Sequence, residues 1–376
     1  MIQPGKTIGI LGGGQLGRMT GQAARSLGYN FVVFEPSPNC PASQVADEQI
    51  AAEYTDEEAI KAFTSTVDLV TYEFENVDTA ALKAIGDRVP IFPRQEVLYT
   101  CQHREREKRF LKSNGFPHAA FEVVDSAESL KSAVSKIGTP CVLKTAAFGY
   151  DGKGQQKISS PDADLDAVWQ TFEGRRAVLE AWVPFEKEIS VMVAIGADGS
   201  SSVFPVAENI HTNHILDFSI VPARVAPETL KAAESLARDI ASKIGLVGLL
   251  GVEMFVLADG SIAVNELAPR PHNSAHYSLD ACLTSQFEQF VRAVAGLPLG
   301  STELLKPVVM VNILGDAWEN GEPDFTRILR EPKAKLHLYG KSSARVGRKM
   351  GHFCVLDDSV DQALELAKSL KQKLFS

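Results

Sequence analysis

No apolar stretch in the chain approaches the ~18 residues of a membrane-spanning helix. The run Ile8–Leu11 is too short for the apolar core of a signal peptide, lacks a basic start, and ends in glycines. A cytoplasmic protein without membrane contact is the expectation. Positive charge is scarce as well: 38 Lys and Arg stand against 47 Asp and Glu, a net charge of −9. Duplex binders carry a basic surplus, so no nucleic-acid partner is expected. Cysteine is sparse and odd in number. Cys40, Cys101, Cys141, Cys282 and Cys354 lie far apart, with no Cys-x-x-Cys, which indicates neither a zinc site nor a disulfide framework. Buried free thiols fit better. There is no internal repeat and no low-complexity tract. What is present is 376 residues, 45% hydrophobic and 23% charged. Such a chain can bury a large core, and at ~150 residues per domain it holds two to three domains.

The first hundred residues alternate strand and helix patterns. Thr7–Leu11, Asn30–Phe34 and Leu69–Phe74 read as strands, and Gly17–Leu27 reads as a helix closed by Gly28. That alternation implies a parallel α/β sheet, a Rossmann-like opening domain. A boundary fits near Pro90–Pro93. A helix over Gln102–Ser113 then opens a second domain. The middle is strand-rich, with Cys141–Thr145, Ala177–Val183, Glu188–Ile195, Gly251–Leu257 and Ile262–Glu266 extended and Pro227–Ile244 helical. A second boundary fits near Gly296–Gly300. A small last module has strands at Val308–Leu314 and Ala334–Leu338 and an amphipathic helix over Gln362–Leu374. The expected class is α/β followed by α+β and a short cap.

Gly12-Gly13-Gly14-Gln15-Leu16-Gly17 satisfies Gly-x-Gly-x-x-Gly between a strand and a helix, and Glu35 ends the next strand. Glycines there let a backbone approach a phosphate at a helix N-terminus. A phosphorylated substrate, a dinucleotide and tight packing alone all remain open.

The sharpest signal is a hairpin. Asp259-Gly260 sits between alternating apolar residues and favours a two-residue turn. With that tip, Ala258 faces Ser261, and Glu253 falls opposite Glu266, with Cβ atoms ~5 Å apart. Two carboxylates there repel unless a cation lies between them. Mg²⁺ fits, because it takes a few carboxylates and completes its shell with phosphates. An exposed pair is the alternative, and Val252, Met254, Phe255 and Val256 argue against exposure.

Lys144 lies in an apolar strand that runs into Gly149-Tyr150-Asp151-Gly152-Lys153-Gly154-Gln155. A glycine-rich loop of this kind can close over phosphates. It is not a Walker A loop, since no Gly-Lys-Ser/Thr follows. With the carboxylate pair, it makes a nucleoside triphosphate the leading ligand. Leu179 and Trp182 offer a slot for adenine, with Glu180 and backbone groups at its edge. If Ile189, Val191 and Val193 face the core, Glu188 is left to accept from ribose hydroxyls. Arg270, His272 and Asn273 follow the proposed metal strand and suit an anion. Lys341, Arg345, Arg348 and Lys349 form a basic segment suited to a phosphate.

These residues resemble the ATP-grasp superfamily, and within it the N5-carboxyaminoimidazole ribonucleotide synthetases of purine biosynthesis. The motifs are Gly12–Gly17, Tyr72-Glu-Phe-Glu-Asn-Val77, Gly149–Gln155, Asn265-Glu-Leu-Ala-Pro-Arg-Pro-His-Asn-Ser274 and Arg348-Lys-Met-Gly-His352. The resemblance spans essentially the whole chain. It implies a pre-ATP-grasp domain (1–100), an ATP-grasp domain (101–296) and a C-terminal substrate-binding cap (297–376). It implies ATP- and bicarbonate-dependent carboxylation of 5-aminoimidazole ribonucleotide, with ADP and phosphate released. ATP would be held by Arg104, Lys144, the flap Gly149, Tyr150, Asp151, Gly152, Lys153, Gly154 and Gln155, then Glu180, Ala181, Trp182, Val183, Glu188, His211, Asn265 and Glu266. Glu253 and Glu266 would hold Mg²⁺, with Mn²⁺ as a substitute. Gln15, Leu16, Glu73, Tyr150, Asp151, Lys341 and Arg348 would hold the ribonucleotide. Arg270, His272 and Asn273 would steady bicarbonate, and Asp151 would orient the reacting amine. A homodimer is implied as well. Two positions depart from the family pattern: Ala275 stands where glycine is usual, and Phe148 precedes the flap where a small residue is common. Related ligases of the biotin carboxylase or transformylase type share the ATP half. A dehydrogenase rests on the first loop and Glu35 alone. A non-catalytic ATP sensor would not need the carboxylate pair.

Overall fold

The computed structural model describes residues 1–147, 149 and 154–375. Three sheets organise it. The first contains β1 (Thr7–Leu11), β2 (Asn30–Phe34), β3 (Glu48–Ile50) and β4 (Leu69–Tyr72), all parallel, in the order β3-β2-β1-β4. Ile8, Ile10 and Leu11 of β1 are fully buried, as befits a parallel strand covered on both faces. The helix Gln15–Ser26 starts at the end of β1, and the chain reverses at Gly28, whose φ of 80° is left-handed. The Rossmann-like opening is therefore present.

The second sheet is antiparallel: β5 (Phe121–Val124), β6 (Cys141–Thr145), β7 (Gln155–Ile158) and β8 (Ala177–Ala181), in the order β5-β8-β6-β7. Side chains alternate across a strand. Cys141, Leu143, Ala177 and Leu179 face a core that includes Leu130, Ala133 and Val134 of the helix Ala127–Ile137. Lys144 and Glu180 face the other way. Leu179 is therefore enclosed in this core. It cannot line an adenine slot with Glu180, because the two lie on opposite faces of β8.

The third sheet has nine strands. They are β9 (Phe185–Ile195), β10 (Ser201–Val203), β11 (Ala207–Thr212), β12 (Ile215–Val221), β13 (Gly248–Leu257), β14 (Ile262–Ala268), β15 (Val308–Leu314), β16 (Ala334–Leu338) and β17 (Lys349–Leu356). The order is β14-β13-β9-β11-β12-β15-β17-β16, with β10 on β9. One face carries Ile189, Val191, Val193, Val252 and Met254. These pack with Ala233, Ala237, Ile240 and Ala241 of the helix Pro227–Lys243. The expected inward side of β9 is thus correct. β12 pairs with β15, so the sheet continues without a break across the boundary expected near 296–300. The helix Val360–Phe375 closes the end, burying Ala363, Leu364, Ala367 and Leu370 with Val309, Val311 and Val355. All five cysteines are free and buried. Among the described residues no helix is long and apolar enough to cross a membrane.

Candidate active site

The β13–β14 hairpin brings Glu253 opposite Glu266, but not by the expected turn. Leu257 N–H donates to Ser261 O at 2.9 Å, and Gly260 N–H donates to Leu257 O at 2.9 Å. The loop is Ala258-Asp259-Gly260, three residues, with Gly260 at φ 81°, a conformation glycine adopts without strain. Val256 then faces Ile262 and Met254 faces Val264, one residue away from a two-residue turn. An irregularity beside Glu253 leaves Asn265 as the extra residue, which restores the offset. The bulge also serves the site. Asn265 O accepts from Lys108 Nζ at 2.9 Å, and the buried Asn265 Oδ1 has no partner among the described residues.

Burial, and then the neighbouring Glu266, push the Glu253 carboxyl up to about 7. His272 Nε2 lies 3.3 Å from Glu253. Burial, then Arg270 and Lys349, drive the imidazole down to about 3, so His272 is neutral. His211 Nδ1 lies 2.6 Å from Glu188. Burial opposes its charge, but that carboxylate raises the His211 pKa overall.

Across from this hairpin, Glu180 on β8 is almost fully buried and gathers three cations. Arg104 Nη1 approaches it at 3.4 Å, Lys108 Nζ at 3.4 Å and Lys144 Nζ at 3.2 Å. Burial resists the Glu180 charge, yet these cations hold its pKa far below the carboxylate range. Arg104 and Lys108 lie one turn apart on the helix Arg104–Ser113, so both reach the same carboxylate. Arg104 Nη2 also reaches Glu266 at 3.1 Å, tying the second sheet to the third. Burial lowers the Lys144 pKa. Beside them Glu107 accepts from Leu267 N–H at 2.8 Å, and burial lifts its pKa to about 7.

Arg270 pairs with Glu75, one hydrogen bond being 2.8 Å from Nη2. Asn273 is buried, and among the described residues neither its Oδ1 nor its Nδ2 has a partner. A buried amide left with both groups unsatisfied is costly and points to a polar ligand.

The glycine loop is already occupied. Glu73 accepts from Gly17 N–H at 2.6 Å and from Gly14 N–H. Its burial raises its pKa against those two bonds. A Cβ on Gly12 would lie 2.4 Å from Glu73 Cγ, and one on Gly13 would lie 2.4 Å from Cys40 Sγ. Glu35 accepts from Gly13 N–H at 3.1 Å and from Tyr54 OH at 2.8 Å. Of the three uses left open for this loop, the structure displays packing around the chain's own carboxylates. Gln15 is half-buried. Leu16 is buried with Met19, Phe287 and Tyr339, so its side chain does not face a ligand.

Lys341 lies near Glu73, on which its charge acts, and donates to Lys349 O at 2.6 Å. Arg348 donates to Ser343 O and Oγ, each at 2.8 Å. Trp182 is exposed and carries Lys157 Nζ 3.5 Å above its ring; Ala181 and Val183 flank it, half-buried. Gly154 and Gln155 stand at the root of the β6–β7 hairpin, where Thr145 N–H donates to Gly154 O at 2.8 Å. Gly149 is exposed. Phe148, Tyr150, Asp151, Gly152 and Lys153 lie outside the described residues.

The chain is similar to known proteins along nearly its whole length. Residues 5–102 match the ribonucleotide synthetase pre-ATP-grasp domain, 109–287 the ATP-grasp domain, and 308–366 the phosphoribosylaminoimidazole carboxylase C-terminal domain. The N5-carboxyaminoimidazole ribonucleotide synthase of Bacillus subtilis (strain 168) is 47% identical over 97% of this chain and 95% of its own length. The chain belongs to the N5-carboxyaminoimidazole ribonucleotide synthase family. The solved ADP complex of one such synthetase superposes with a TM-score of 0.94 at 48% identity, covering 99% of this chain and 97% of that one. The Aspergillus clavatus synthase in complex with ADP and 5-aminoimidazole ribonucleotide gives a TM-score of 0.90 at 32% identity, each chain 98% covered.

The structure also brings to this site several residues that the sequence did not point to. Lys108 and Glu107 sit in a charge-alternating helix that reads as a solvated face, yet both are buried. Glu75 lies inside a quoted motif without a role, and Arg270 supplies it. Lys349 belongs to the basic segment that reads as a phosphate site. It lies close enough to Glu253, His211 and His272 to act on each of their charges. Among the described residues no group of three or more His, Cys, Asp or Glu forms a metal cage. Two facing carboxylates fit an ion that draws its other ligands from phosphates and water.

Proposed function

We propose that this chain is an ATP-dependent carbon–nitrogen ligase that converts 5-aminoimidazole ribonucleotide and bicarbonate to N5-carboxyaminoimidazole ribonucleotide, releasing ADP and phosphate, in de novo purine synthesis. The observation that carries the reading is the facing of two charged clusters. Arg104, Lys108 and Lys144 converge on Glu180 on one side, and Glu253 and Glu266 lie opposed on the other. Cations suited to phosphates face carboxylates suited to the metal that accompanies them. Family membership supports the assignment.

Glu253 and Glu266 would hold Mg²⁺, with Mn²⁺ able to replace it. When bound, the ion neutralises charge on the phosphates. Lys144 and Arg104 sit where they can steady the same phosphates, and Glu188 and His211 sit on β9 and β11 for the ribose. Glu180, Ala181, Trp182 and Val183 line the base. An oxygen of bicarbonate attacks the γ-phosphorus, the bond to ADP breaks, and carboxyphosphate forms. Arg270, His272 and the unsatisfied Asn273 amide hold that anion. The exocyclic amine of the ribonucleotide then attacks the carboxyl carbon. Phosphate leaves with the carbon–oxygen electron pair, and the amine gives up a proton. Asp151 orients that amine. Gln15, Glu73, Tyr150, Lys341 and Arg348 hold the ribonucleotide, with Leu16 limited to its backbone. Closure of the Gly149–Gln155 flap keeps the labile intermediate from water.

Domains at 1–100, 101–296 and 297–376, a homodimer and a cytoplasmic location complete the proposal. Sedimentation or light scattering tests the dimer. The reaction is tested by ADP release from Mg·ATP and bicarbonate with and without 5-aminoimidazole ribonucleotide. Strong dependence on the ribonucleotide is expected, and release indifferent to it would overturn the acceptor assignment.

A further inference from the structure

A buried row of hydrogen bonds crosses the third sheet and ends on His272. Ser219 Oγ on β12 donates to Asn209 Oδ1 on β11 at 2.9 Å. Asn209 Nδ2 donates to Ser190 Oγ on β9 at 2.9 Å. Ser190 Oγ bonds Ser274 Oγ at 2.7 Å, and Ser274 Oγ bonds His272 Nδ1 at 2.9 Å. Ser219, Asn209, Ser190 and Ser274 are all buried, so water does not compete. The direction is not free. An amide NH₂ only donates, so Ser190 accepts from Asn209, and its own hydroxyl is placed to donate to Ser274 Oγ. Ser274 then spends its proton on His272 Nδ1. The Ser274 backbone N–H, which can only donate, also points at Nδ1, at 3.4 Å. Nδ1 is therefore the acceptor, and the ring proton sits on Nε2, the atom 3.3 Å from Glu253.

The backbone of His272 is clamped separately. Its N–H donates to Gln286 Oε1 at 2.8 Å, and its C=O accepts from Gln286 Nε2 at 2.9 Å. Gln286 is fully buried. It therefore holds the residue from behind while the row holds the ring.

We propose that Ser219, Asn209, Ser190 and Ser274, together with Gln286, are positioning residues that fix His272 as the Nε2–H tautomer, so that its imidazole serves the reaction as a hydrogen-bond donor and not as a base. The direction of the row is a property of the folded chain. The benefit to bicarbonate rests on the anion site proposed above. The row assigns a purpose to serines and an asparagine on three strands that otherwise place polar groups in a sheet interior.

Nitrogen-15 NMR of the histidine rings in the full chain tests it, with His272 assigned by its loss in His272→Gln. The wild type should show Nε2 protonated and Nδ1 bare. Ser274→Ala removes the donor. Asn209→Asp keeps the shape but turns the amide into an acceptor. Each should move His272 toward a mixture or the Nδ1–H form. Each should raise the bicarbonate KM roughly five- to tenfold, as expected for one lost hydrogen bond, while the ATP KM holds. A wild-type ring protonated on Nδ1 would overturn the proposal. So would a tautomer unmoved in both variants. If the tautomer responds but His272→Gln leaves the bicarbonate KM unchanged, the row stands and the bicarbonate assignment falls.

Discussion

The glycine loop at Gly12–Gly17 and the hairpin at Glu253–Glu266 are two places where the chain offers charge chemistry, and they behave oppositely. The loop carries the more familiar motif. Its amides at Gly14 and Gly17 are taken by Glu73, and the Gly13 amide is taken by Glu35. The hairpin carries no glycine-rich phosphate motif. It holds two carboxylates that repel, with Glu253 raised to about 7 and Asn265 Oδ1 unsatisfied. A loop whose backbone donors are matched by the chain's own acceptors is rigid before any ligand arrives, and leaves recognition to its side chains. A part-buried pair of like charges, flanked by Arg104 on Glu266 and His272 beside Glu253, still favours a cation between its members. Unbalanced charge, more than motif specificity, locates the chemistry.

That contrast can be broken first at the hairpin. Glu266→Ala should lower turnover by about a hundred- to a thousandfold, the scale of losing one preorganised electrostatic group. The same variant should change the melting temperature little, because losing the Arg104–Glu266 ion pair offsets the relief of Glu253 from its repelling neighbour. Calorimetry beside a steady-state assay reads both effects. The loop should respond the other way. Gly12 has φ 105°, and a Cβ there would meet Glu73 Cγ at 2.4 Å. Gly12→Ala should therefore cost about 2 kcal/mol or more of stability, seen as a lower denaturant midpoint.

How far this contrast was legible in the sequence differs by region. The strand β1, its helix and the β15 run follow from apolar period and glycine position, and their bounds agree closely with expectation. The Glu253–Glu266 pairing was legible too, although the turn was not. A three-residue loop and a bulge at Asn265 offset each other, and no local signal separates that from a two-residue turn. Lys108 could not be found by pattern. The first six residues of its helix Arg104–Ser113 are all charged, and only the buried Glu180 and the Asn265 carbonyl on distant strands explain why an ammonium lies inside. β17 was hidden because its first residue, Lys349, belongs to a basic run that reads as a loop. The continuity of the third sheet through β12 and β15 depends on pairing between strands about ninety residues apart, which composition does not encode.

A subtler variant sharpens the comparison. Glu73→Gln keeps the shape of the loop's plug but removes its charge. It should cost about 1–2 kcal/mol of stability by weakening the bonds to Gly14 and Gly17. It should raise the ribonucleotide KM while leaving the ATP KM alone, which steady-state kinetics in each substrate would show.

The smallest effect belongs to a pair outside both regions. Glu105 accepts from Arg176 Nε at 2.6 Å and from Arg109 Nε at 2.9 Å. The Arg176 bond, with Arg109, holds its carboxyl down to about 2 against a usual 4.5. A depressed acid stabilises the fold above its unfolded pKa and loses that contribution as pH falls through the folded value. Arg176→Ala should therefore destabilise by less than about 1 kcal/mol at neutral pH. The difference from wild type should fade between pH 4.5 and about 2. Urea melts across that range would record it.

The decisive measurement is thermal unfolding with ADP, with and without Mg²⁺, in the wild type and in a Glu253→Gln, Glu266→Gln double variant. If the carboxylate pair is the metal–phosphate site, Mg²⁺ adds a further rise in melting temperature to nucleotide-bound wild type. It adds nothing to the nucleotide-bound double variant, which still folds. An equal Mg²⁺ increment in both proteins would contradict that assignment.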